Sequence, residues 1–219
     1  MKKITIITGH YGTGKTNFSV NLALNEAKKG IPVTVVDLDL VNPYFRTADF
    51  KELFADHGVT LIAPEYANSN VDLPTVSFDI EELAQQEGCL LIDVGGDDAG
   101  ATALGRYADA IMAHGDEVDM LYVLNCYRYL TRTPEEALTL MQEIETASRL
   151  RHTGLVNNSN LGCETTAELI TNSLPFAEEI AKQAGLPLLF TTADKQLNLS
   201  GDGFLPIDVF VKPLWEQTV

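Results

Sequence analysis

The sequence of 219 residues is poor in basic side chains and in cysteines. Only 15 Lys and Arg stand against 31 Asp and Glu, so the formal net charge is −16. Such an excess of acid repels nucleic-acid phosphates and anionic lipid, which disfavours DNA-binding and membrane-surface functions. The three cysteines, Cys89, Cys126 and Cys163, are far apart and form no C-x-x-C pair. The sequence therefore encodes neither a zinc knuckle nor a disulfide framework.

Long apolar runs are also missing. The N-terminal segment MKKITIITGH has a short basic start, but its apolar run of about four residues is too short for a signal peptide. No stretch approaches the ~18 apolar residues of a membrane span. We therefore expect a cytoplasmic protein that does not associate with membranes. The four histidines show no metal-binding spacing such as H-E-x-x-H, and no Ser-His-Asp triad is apparent.

Short runs rich in β-branched residues recur along the chain, with amphipathic segments between them. Several of the runs, among them ITIIT, VTVVD and LLIDV, are apolar without alternation, which is typical of parallel strands buried on both faces. Strands are predicted at 3–8, 32–37, 59–63, 89–93, 120–125, 153–157 and 186–191. The pattern predicts an α/β fold of three layers, with a mostly parallel sheet of about seven strands and helices on both faces. We expect one domain over residues 1–219.

Three helices have recognisable ends. The first is predicted to end before Gly30, and a capping box at Thr133 and Glu136, with Pro134 between them, starts a helix that runs to about residue 150. Another is expected to end at Gly185. Ligands of such sheets bind at the carboxyl ends of the strands, so functional residues are expected there.

The segment Gly9-His10-Tyr11-Gly12-Thr13-Gly14-Lys15-Thr16 fits the P-loop pattern G-x-x-x-x-G-K-[ST], between the first predicted strand and the first helix. Glycines let backbone N–H groups point at phosphate oxygens, and the helix N-terminus adds partial positive charge. Lys15 supplies a full positive charge to the phosphates, and the Thr16 hydroxyl is suited to Mg²⁺. The predicted nucleotide-binding residues are Gly9, Gly12, Thr13, Gly14, Lys15, Thr16 and Asn17.

Two further strand ends carry carboxylates. The second strand runs into Asp37-Leu38-Asp39, and the fourth ends in Asp93 before Gly95 and Gly96. Asp93 is the candidate Walker B residue, which holds Mg²⁺ directly or through water. Asp37 and Asp39 point to the same side of an extended chain, so both are candidates to face the metal region. We expect Thr16, Asp39 and Asp93 to be the magnesium ligands.

In that order and spacing, GHYGTGKT, VVDLDLVNP and LLIDVGG resemble the P-loop ATPases of the ParA, MinD, CobQ and CobB group, the SIMIBI class. The resemblance covers residues 3 to about 191. It implies that Asp39 positions the attacking water and is catalytic together with Lys15, and that Asp93 is the Walker B aspartate. It also implies that an asparagine after a late strand reads adenine. Asn157 and Asn158 both stand there, and the choice between them is open.

One departure from the group concerns the P-loop itself. In the ParA and MinD branch it reads K-G-G-x-G-K-T, and its early lysine reaches the partner's nucleotide across a dimer. Here His10 and Tyr11 replace that lysine and the following glycine. This variant P-loop disfavours the usual dimer over the phosphates and, with the charge of −16, the DNA-partition branch. A homodimer of another kind stays open.

Residues around the core motif have less specific patterns. Arg46 is either an anion-binding residue or a surface ion-pair partner, and loop 68–75 is a candidate partner contact. At least one of Asp97 and Asp98 is expected to cap a helix that starts near Ala101. A basic and aromatic cluster follows the fifth strand and favours a protein or small-anion contact over nucleic acid. The cluster consists of Tyr127, Arg128, Tyr129 and Arg132.

The sequence thus predicts an ATP-binding protein that requires Mg²⁺ and hydrolyses ATP slowly, as a switch for an unidentified protein partner. One alternative is a small-molecule kinase or ATP-dependent ligase resembling CobB and dethiobiotin synthetase. In that case Arg46 and loop 68–75 would hold the acceptor. Another alternative is a regulatory module that binds nucleotide without hydrolysing it.

Overall fold

The computed structural model describes residues 1–39, 46–63, 78–96 and 98–211. Within them, eight strands form one sheet in which every neighbouring pair is parallel. The strands are β1 (Ile4–Thr8), β2 (Val33–Leu38), β3 (Val59–Ile62), β4 (Cys89–Val94), β5 (Val118–Leu124), β6 (Gly154–Asn157), β7 (Leu188–Asp194) and β8 (Phe204–Ile207).

Helices connect most of these strands. They are α1 (Lys15–Ala27), α2 (Lys51–Asp56), α3 (Ile80–Gln85), α4 (Asp98–Gly105), α5 (Ala108–Met112), α6 (Pro134–Ser148), α7 (Ala167–Asn172) and α8 (Leu174–Ala184). Short 3-10 turns lie at Thr47–Phe50, Gly115–Glu117, Gly162–Glu164 and Lys195–Leu197. No helix among the described residues is both long and apolar enough to cross a membrane.

The strand order β3-β2-β4-β1-β5-β6-β7-β8 puts β1 between β4 and β5. Because all strands are parallel, the loops that follow β1, β2, β4, β5 and β6 leave the sheet at the same edge. The segment after β1 is therefore flanked by the segments after β4 and β5. This topology brings the P-loop, the strand-end aspartates and the asparagines to one edge.

Side chains on both faces of the sheet are buried, as the non-alternating apolar runs predict. Ile4 and Ile6 of β1 pack on one face against Leu104 of α4 and Ile111 of α5. Ile7 packs on the other face with the side chains of α1. Helices cover both faces of the sheet, so the predicted three-layer α/β fold is confirmed.

The helix ends agree with the sequence patterns where these were specific. The N-cap Thr133 accepts a hydrogen bond from the backbone of Glu136, whose carboxylate accepts one in return from Thr133. Gly185 ends α8 in a left-handed conformation with φ of 68°. In contrast, α4 starts at Asp98 rather than near Ala101, so Asp98 lies in its first turn instead of capping a later start.

The sheet has one more strand than the seven predicted from the sequence. β8 contains Pro206, which is tolerated because β8 is an edge strand: among the described strands it pairs with β7 alone. Several sequence features lie outside the described residues: segment 41–45, loop 68–75, Asp97 and the tail that contains Lys212.

Candidate functional site

The P-loop turns sharply between β1 and α1, and its glycines permit that path. Gly9, Gly12 and Gly14 all have positive φ, at 144°, 77° and 85°. A methyl group at Gly9 would lie 2.5 Å from the carbonyl oxygen of Val123, and one at Gly14 would overlap the amide of Asn158. Side chains at these positions would therefore disturb either the backbone path or the packing of the loop.

The N-terminus of α1 opens directly onto this loop. Gly14 is the N-cap, and the first α-helical bond into the helix runs from Phe18 N–H to the Gly14 carbonyl. The N–H groups of Lys15, Thr16 and Asn17 precede that bond, so they belong to the set that lacks an intrahelical acceptor. Together with the helix dipole, these N–H groups form an anion-binding end.

Lys15 is folded over the loop. Its side chain is only 7% exposed, and its ammonium group donates a hydrogen bond to the His10 carbonyl at 3.2 Å. On the β4 side, a methyl group at Gly96 would lie 2.7 Å from the same ammonium nitrogen. The charge of Lys15 therefore lies between the P-loop and the glycine that follows the Walker B candidate.

Asp93 lies at the end of β4 with hydroxyl groups around its carboxylate. Ser19 donates to Oδ1 at 3.0 Å, Thr47 donates to Oδ2, and Thr16 is also hydrogen-bonded to this carboxylate. Burial raises the pKa of Asp93, and the hydrogen bond from Thr47, the charge of Lys15 and the other hydroxyls oppose that rise. The structure thus joins two predicted magnesium ligands, Thr16 and Asp93, directly.

Asp37 is a buried carboxylate whose contacts the sequence did not reveal. It lies beside Asp93 in the register of β2 and β4 and is 0% exposed. Its two oxygens accept hydrogen bonds from the backbone N–H groups of Asp39 and Ala48, each at 2.9 Å. Burial, followed by the charge of Asp93, raises its pKa to about 7. Asp37 therefore ties the segment after β2 to the 3-10 turn at Thr47–Phe50.

Asp39 follows β2 at the same edge of the sheet as the P-loop. It is 9% exposed, and its backbone is held by Asp37. The role of Asp39 in water positioning and metal binding stays a prediction.

The two candidate asparagines point in different directions. The amide of Asn157 donates to the Ser173 hydroxyl at 2.8 Å, next to α8, and its oxygen accepts the Ser159 N–H at 3.2 Å. The amide of Asn158 instead donates to the Thr13 carbonyl at 2.7 Å, and its oxygen accepts the hydroxyl of Thr192. Only Asn158 of the pair contacts the P-loop through its side chain.

Two further predicted residues have different surroundings from those expected. The side chain of Asn17 accepts the N–H groups of Phe210 and Val211 and donates to the Asp208 carbonyl, so only its backbone faces the phosphate end of α1. Arg46 is 8% exposed, so it is buried and does not lie on the surface. Its backbone N–H donates to Asp49 at 3.0 Å at the start of the 3-10 turn.

The P-loop residues that depart from the ParA and MinD pattern line a cavity. Tyr11 is 57% exposed. Burial, and then the charge of Lys15, lowers the pKa of His10, so its imidazole is neutral at pH 7. The cavity has a volume of about 320 Å³ and extends from His10 and Tyr11 past Gly96 to Leu140 and Glu143 of α6.

The side chains at this edge of the sheet offer a small set of oxygen ligands for Mg²⁺. Within the described ranges, no group of three or more His, Cys, Asp or Glu side chains is arranged to hold a metal. The adjacent hydroxyl of Thr16 and carboxylate of Asp93 offer hard oxygen ligands of the kind that Mg²⁺ prefers. Because Mg²⁺ is commonly held by one or two carboxylates together with substrate phosphates, this small donor set suits it.

Comparison with solved structures supports the same interpretation of the fold. The cell division protein FtsY from Thermotoga maritima matches over 89% of this chain and 62% of its own, with a TM-score of 0.63 and 19% identity. The chain has a P-loop NTPase-like fold. FtsY from Mycoplasma mycoides matches over 90% of this chain and 62% of its own, with a TM-score of 0.58 and 16% identity.

A third structure, the 54 kDa protein of the signal recognition particle from Aeropyrum pernix, was solved with GDP. It covers 87% of this chain and 41% of its own length, with a TM-score of 0.54 and 17% identity. This P-loop NTPase-like chain thus spans about three fifths of the FtsY structures and less of the third. No protein-family model and no curated protein matches the sequence.

The sequence does not reveal three contributors to the site: Ser19, Thr47 and Thr192. All three donate hydrogen bonds to Asp93 or Asn158 from segments far away in the sequence. The sequence indicates Arg128 only as a member of a basic and aromatic cluster, and the structure places its side chain beside Gly12 of the P-loop. Neither the motif nor the spacing contains these contacts, because they depend on the order of the strands.

Proposed function

We propose that this protein binds ATP with Mg²⁺ at the P-loop, hydrolyses it slowly and acts as a nucleotide-dependent switch for a protein partner. The observation that carries the proposal is the grouping of Lys15, Thr16 and Asp93 at the amide-lined start of α1. A cation, a hydroxyl and a carboxylate in that arrangement suit a triphosphate and its metal ion. The structural neighbours support a nucleotide-binding P-loop fold.

In this proposal each residue has a separate task. The loop amides and Lys15 bind the phosphates and stabilise the negative charge that develops during transfer. Thr16, Asp93 and Asp39 would hold Mg²⁺, whose chemistry is to neutralise phosphate charge. Asp39 would also orient the attacking water. The backbone N–H of Asn17 adds to the phosphate contacts, since its side chain is engaged with residues 208–211.

The asparagine-rich end of β6 favours adenine as the base. Residues 157–160 are Asn, Asn, Ser and Asn, and the next carboxylate along the chain is Glu164. A neutral amide offers both a donor and an acceptor, which matches the N6 and N7 edge of adenine. Asn158 is the better candidate to read the base, because it is the one next to the P-loop.

A guanine nucleotide is the main competing ligand. It is favoured by two structural neighbours solved with GDP, the Aeropyrum pernix protein and FtsY from Elizabethkingia anophelis. Their sequence identities of 17% and 14% concern the fold alone and leave base preference to the side chains of this chain.

The surroundings of Gly96 support a switch. Gly96 lies against Lys15 and the backbone of Tyr11, and α4 begins two residues later at Asp98. A γ-phosphate bound by Lys15 would lie next to Gly96, so its arrival or release would act on the start of α4. Asp93 is also linked to the turn at Thr47, which gives the nucleotide a second segment to move.

The cavity of about 320 Å³ beside Tyr11 and Gly96 favours a second candidate function, transfer of phosphate to a small molecule. Its volume is at the lower end of the range of small-ligand sites, roughly 300–1,000 Å³. A kinase or ligase would consume ATP only when its acceptor is present, whereas a switch responds to a protein. A module that never hydrolyses ATP is the third candidate. The charge of −16 makes nucleic acid an unfavourable partner in each case, and homodimerisation stays open.

Calorimetric titration with ATP and GTP, with and without Mg²⁺, tests the binding proposal, and phosphate release tests turnover. We expect Mg²⁺-dependent binding of ATP that is at least tenfold tighter than that of GTP, slow release of phosphate, and no binding by the Lys15→Ala variant. Tighter binding of GTP than of ATP would show that the site prefers guanine to adenine. Unchanged affinity for ATP in Lys15→Ala would contradict nucleotide binding at the P-loop. Binding of ATP without phosphate release would favour the third candidate, a module that does not hydrolyse ATP.

A further inference from the structure

A second cation lies beside the P-loop in addition to Lys15. Arg128 belongs to the loop between β5 and α6, and this loop leaves the sheet next to the P-loop because β5 pairs with β1. A methyl group at Gly12 would lie 3.6 Å from Nε, 3.7 Å from Cδ and 3.8 Å from Cζ of Arg128. The guanidinium stem therefore runs along the phosphate-binding loop.

The loop that carries Arg128 is fixed by several hydrogen bonds. The Arg128 N–H donates to the Asn125 carbonyl at 3.2 Å, and the Thr131 hydroxyl donates to the same carbonyl at 2.8 Å. Asn125 is fully buried and donates through its side chain to the Asn160 carbonyl at 3.1 Å. Tyr127 is anchored through its hydroxyl to the Leu169 carbonyl at 2.7 Å. The backbone of Arg128 is thus held in place while its side chain is exposed.

The charge around Arg128 suits an anionic ligand. In a protein with a net charge of −16, none of the ion pairs formed among the described residues includes Arg128, although Arg149 and Arg151 both pair with carboxylates. The other candidate for a positive group on the loop, His10, is held neutral by burial and by Lys15, which lower its pKa. A bound triphosphate would carry far more negative charge than Lys15 alone neutralises.

We propose that Arg128 contacts the γ-phosphate of the bound nucleotide from within the same chain and stabilises the charge that develops there during hydrolysis. This inference rests on the proposed function, because it assigns a further residue to the same site. The guanidinium would donate charge-assisted hydrogen bonds to phosphate oxygens, which its planar donor geometry suits. It would therefore distinguish ATP from ADP and accelerate transfer of the phosphoryl group to water.

The test compares wild type, Arg128→Ala, Arg128→Lys and the control Arg132→Ala, all in the full chain. Arg132 is an exposed arginine on the same loop, with its backbone bound to Glu136. Affinities for ATP and ADP with Mg²⁺ are measured by calorimetry, and turnover by phosphate release. We expect Arg128→Ala to weaken ATP binding about ten- to a hundredfold and ADP binding less than threefold, as the loss of a charge-assisted contact implies.

Turnover in Arg128→Ala should fall at least tenfold and recover partly when guanidinium ion is added, whereas Arg132→Ala should resemble wild type. Arg128→Lys should keep part of the preference for ATP over ADP. An unchanged ratio of ATP to ADP affinity in Arg128→Ala would overturn the inference, whether both affinities fall together or neither falls. If wild type itself binds no nucleotide, the proposed function has failed. If wild type binds ATP but the ratio of ATP to ADP affinity does not change in Arg128→Ala, only the role proposed for Arg128 is rejected.

Discussion

Gly96 leaves the space that the ammonium group of Lys15 occupies, since a methyl group on Gly96 would lie 2.7 Å from that nitrogen. The same methyl group would approach the backbone nitrogen of Tyr11 to 2.7 Å and its Cα to 2.8 Å. A lysine side chain can move away, but the P-loop backbone cannot do so without changing its path. The second glycine after Asp93 is thus packed against both Lys15 and the backbone of the P-loop.

Gly96→Ala should therefore impair nucleotide binding. We expect the affinity for ATP with Mg²⁺ to fall at least tenfold, with a loss of stability of roughly 1–3 kcal/mol from overpacking. Calorimetry and urea unfolding measure the two effects. Gly30→Ala is the control, because Gly30 has a φ of 79° but open space around it, so only stability should change. A folded Gly96→Ala variant with wild-type affinity would contradict the proposed contact.

Asp39→Ala should separate binding from turnover. If Asp39 orients water, its removal should lower phosphate release at least a hundredfold, which is the lower end of the usual range for general-base assistance. ATP affinity should stay within a few-fold of wild type, because Thr16 and Asp93 would still hold Mg²⁺. The matched control is Asp56→Ala, at an exposed carboxylate of α2. A normal hydrolysis rate in Asp39→Ala would remove this residue from catalysis.

The two neighbouring asparagines should behave differently. Asn158→Ala removes the hydrogen bonds to Thr13 and Thr192, so it should weaken ATP binding at least tenfold. Asn157→Ala removes the contact to Ser173 and should lower stability by roughly 1–3 kcal/mol while leaving affinity nearly unchanged. Titration of both variants with ATP, together with urea unfolding, checks the contrast. Equal losses of affinity would show that neither asparagine has a separate role.

Two threonines of β1 allow a paired test of stability. The hydroxyl of Thr5 is buried and has no hydrogen-bond partner among the described residues, so Thr5→Val should stabilise the protein by about 1 kcal/mol. The hydroxyl of Thr8 is hydrogen-bonded to the Leu121 carbonyl at 3.2 Å and to Nε2 of His152 at 2.8 Å. Thr8→Val should cost roughly 1–3 kcal/mol, because it leaves Nε2 of the buried His152 without its hydrogen-bond partner, while Nδ1 keeps its contact with Glu145. Urea unfolding that ranks the two variants in the opposite order would contradict these assignments.

The raised pKa of Asp37 predicts that the stability of the nucleotide-free protein depends on pH. Its pKa of about 7 in the folded state exceeds the ordinary value of 3.8, so folding favours the protonated form. The contribution is fully present below pH ~4 and is lost as pH rises through about 7. Its size is on the order of 1–4 kcal/mol, at about 1.4 kcal/mol per pKa unit.

Asp37→Asn should reduce this loss of stability between pH 5 and pH 8, although one of the backbone contacts to Asp39 and Ala48 then lacks an acceptor. Urea unfolding at both pH values measures the slope, with the exposed Asp116→Asn as the control. An identical slope in Asp37→Asn and wild type would show that Asp37 is ionised at both pH values.

Local signals predicted most of the fold. Apolar runs such as ITIIT identify strands because a parallel sheet buries both faces, and a capping box marks α6 because its hydrogen bonds are local. β8 escaped prediction because Pro206 is unusual in strands and is tolerated only at an edge, which the sequence does not specify.

In the candidate site, too, some residues could be predicted from local patterns and others could not. The P-loop could be predicted because its residues are contiguous, and Asp93 because it ends an apolar strand. The choice of Asn158 over Asn157 as the P-loop contact depends on which face of the sheet α1 covers, and the position of Arg128 depends on β5 lying beside β1. Both follow from the arrangement of strands and helices in space, which no short sequence pattern contains.

The hydrogen bonds from α1 to residues 208–211 constrain how any switching motion is distributed. The side chains of Asn17 and Asn21 form hydrogen bonds with the backbone of Asp208, Phe210 and Val211. These bonds join α1, the helix that follows the P-loop, to residues 208–211. These hydrogen bonds should hold α1 in place when the bound nucleotide changes. In the proposed switch, nucleotide exchange should therefore displace the opposite flank of the site, at Gly96 and Thr47, and a partner protein that senses the nucleotide should dock there.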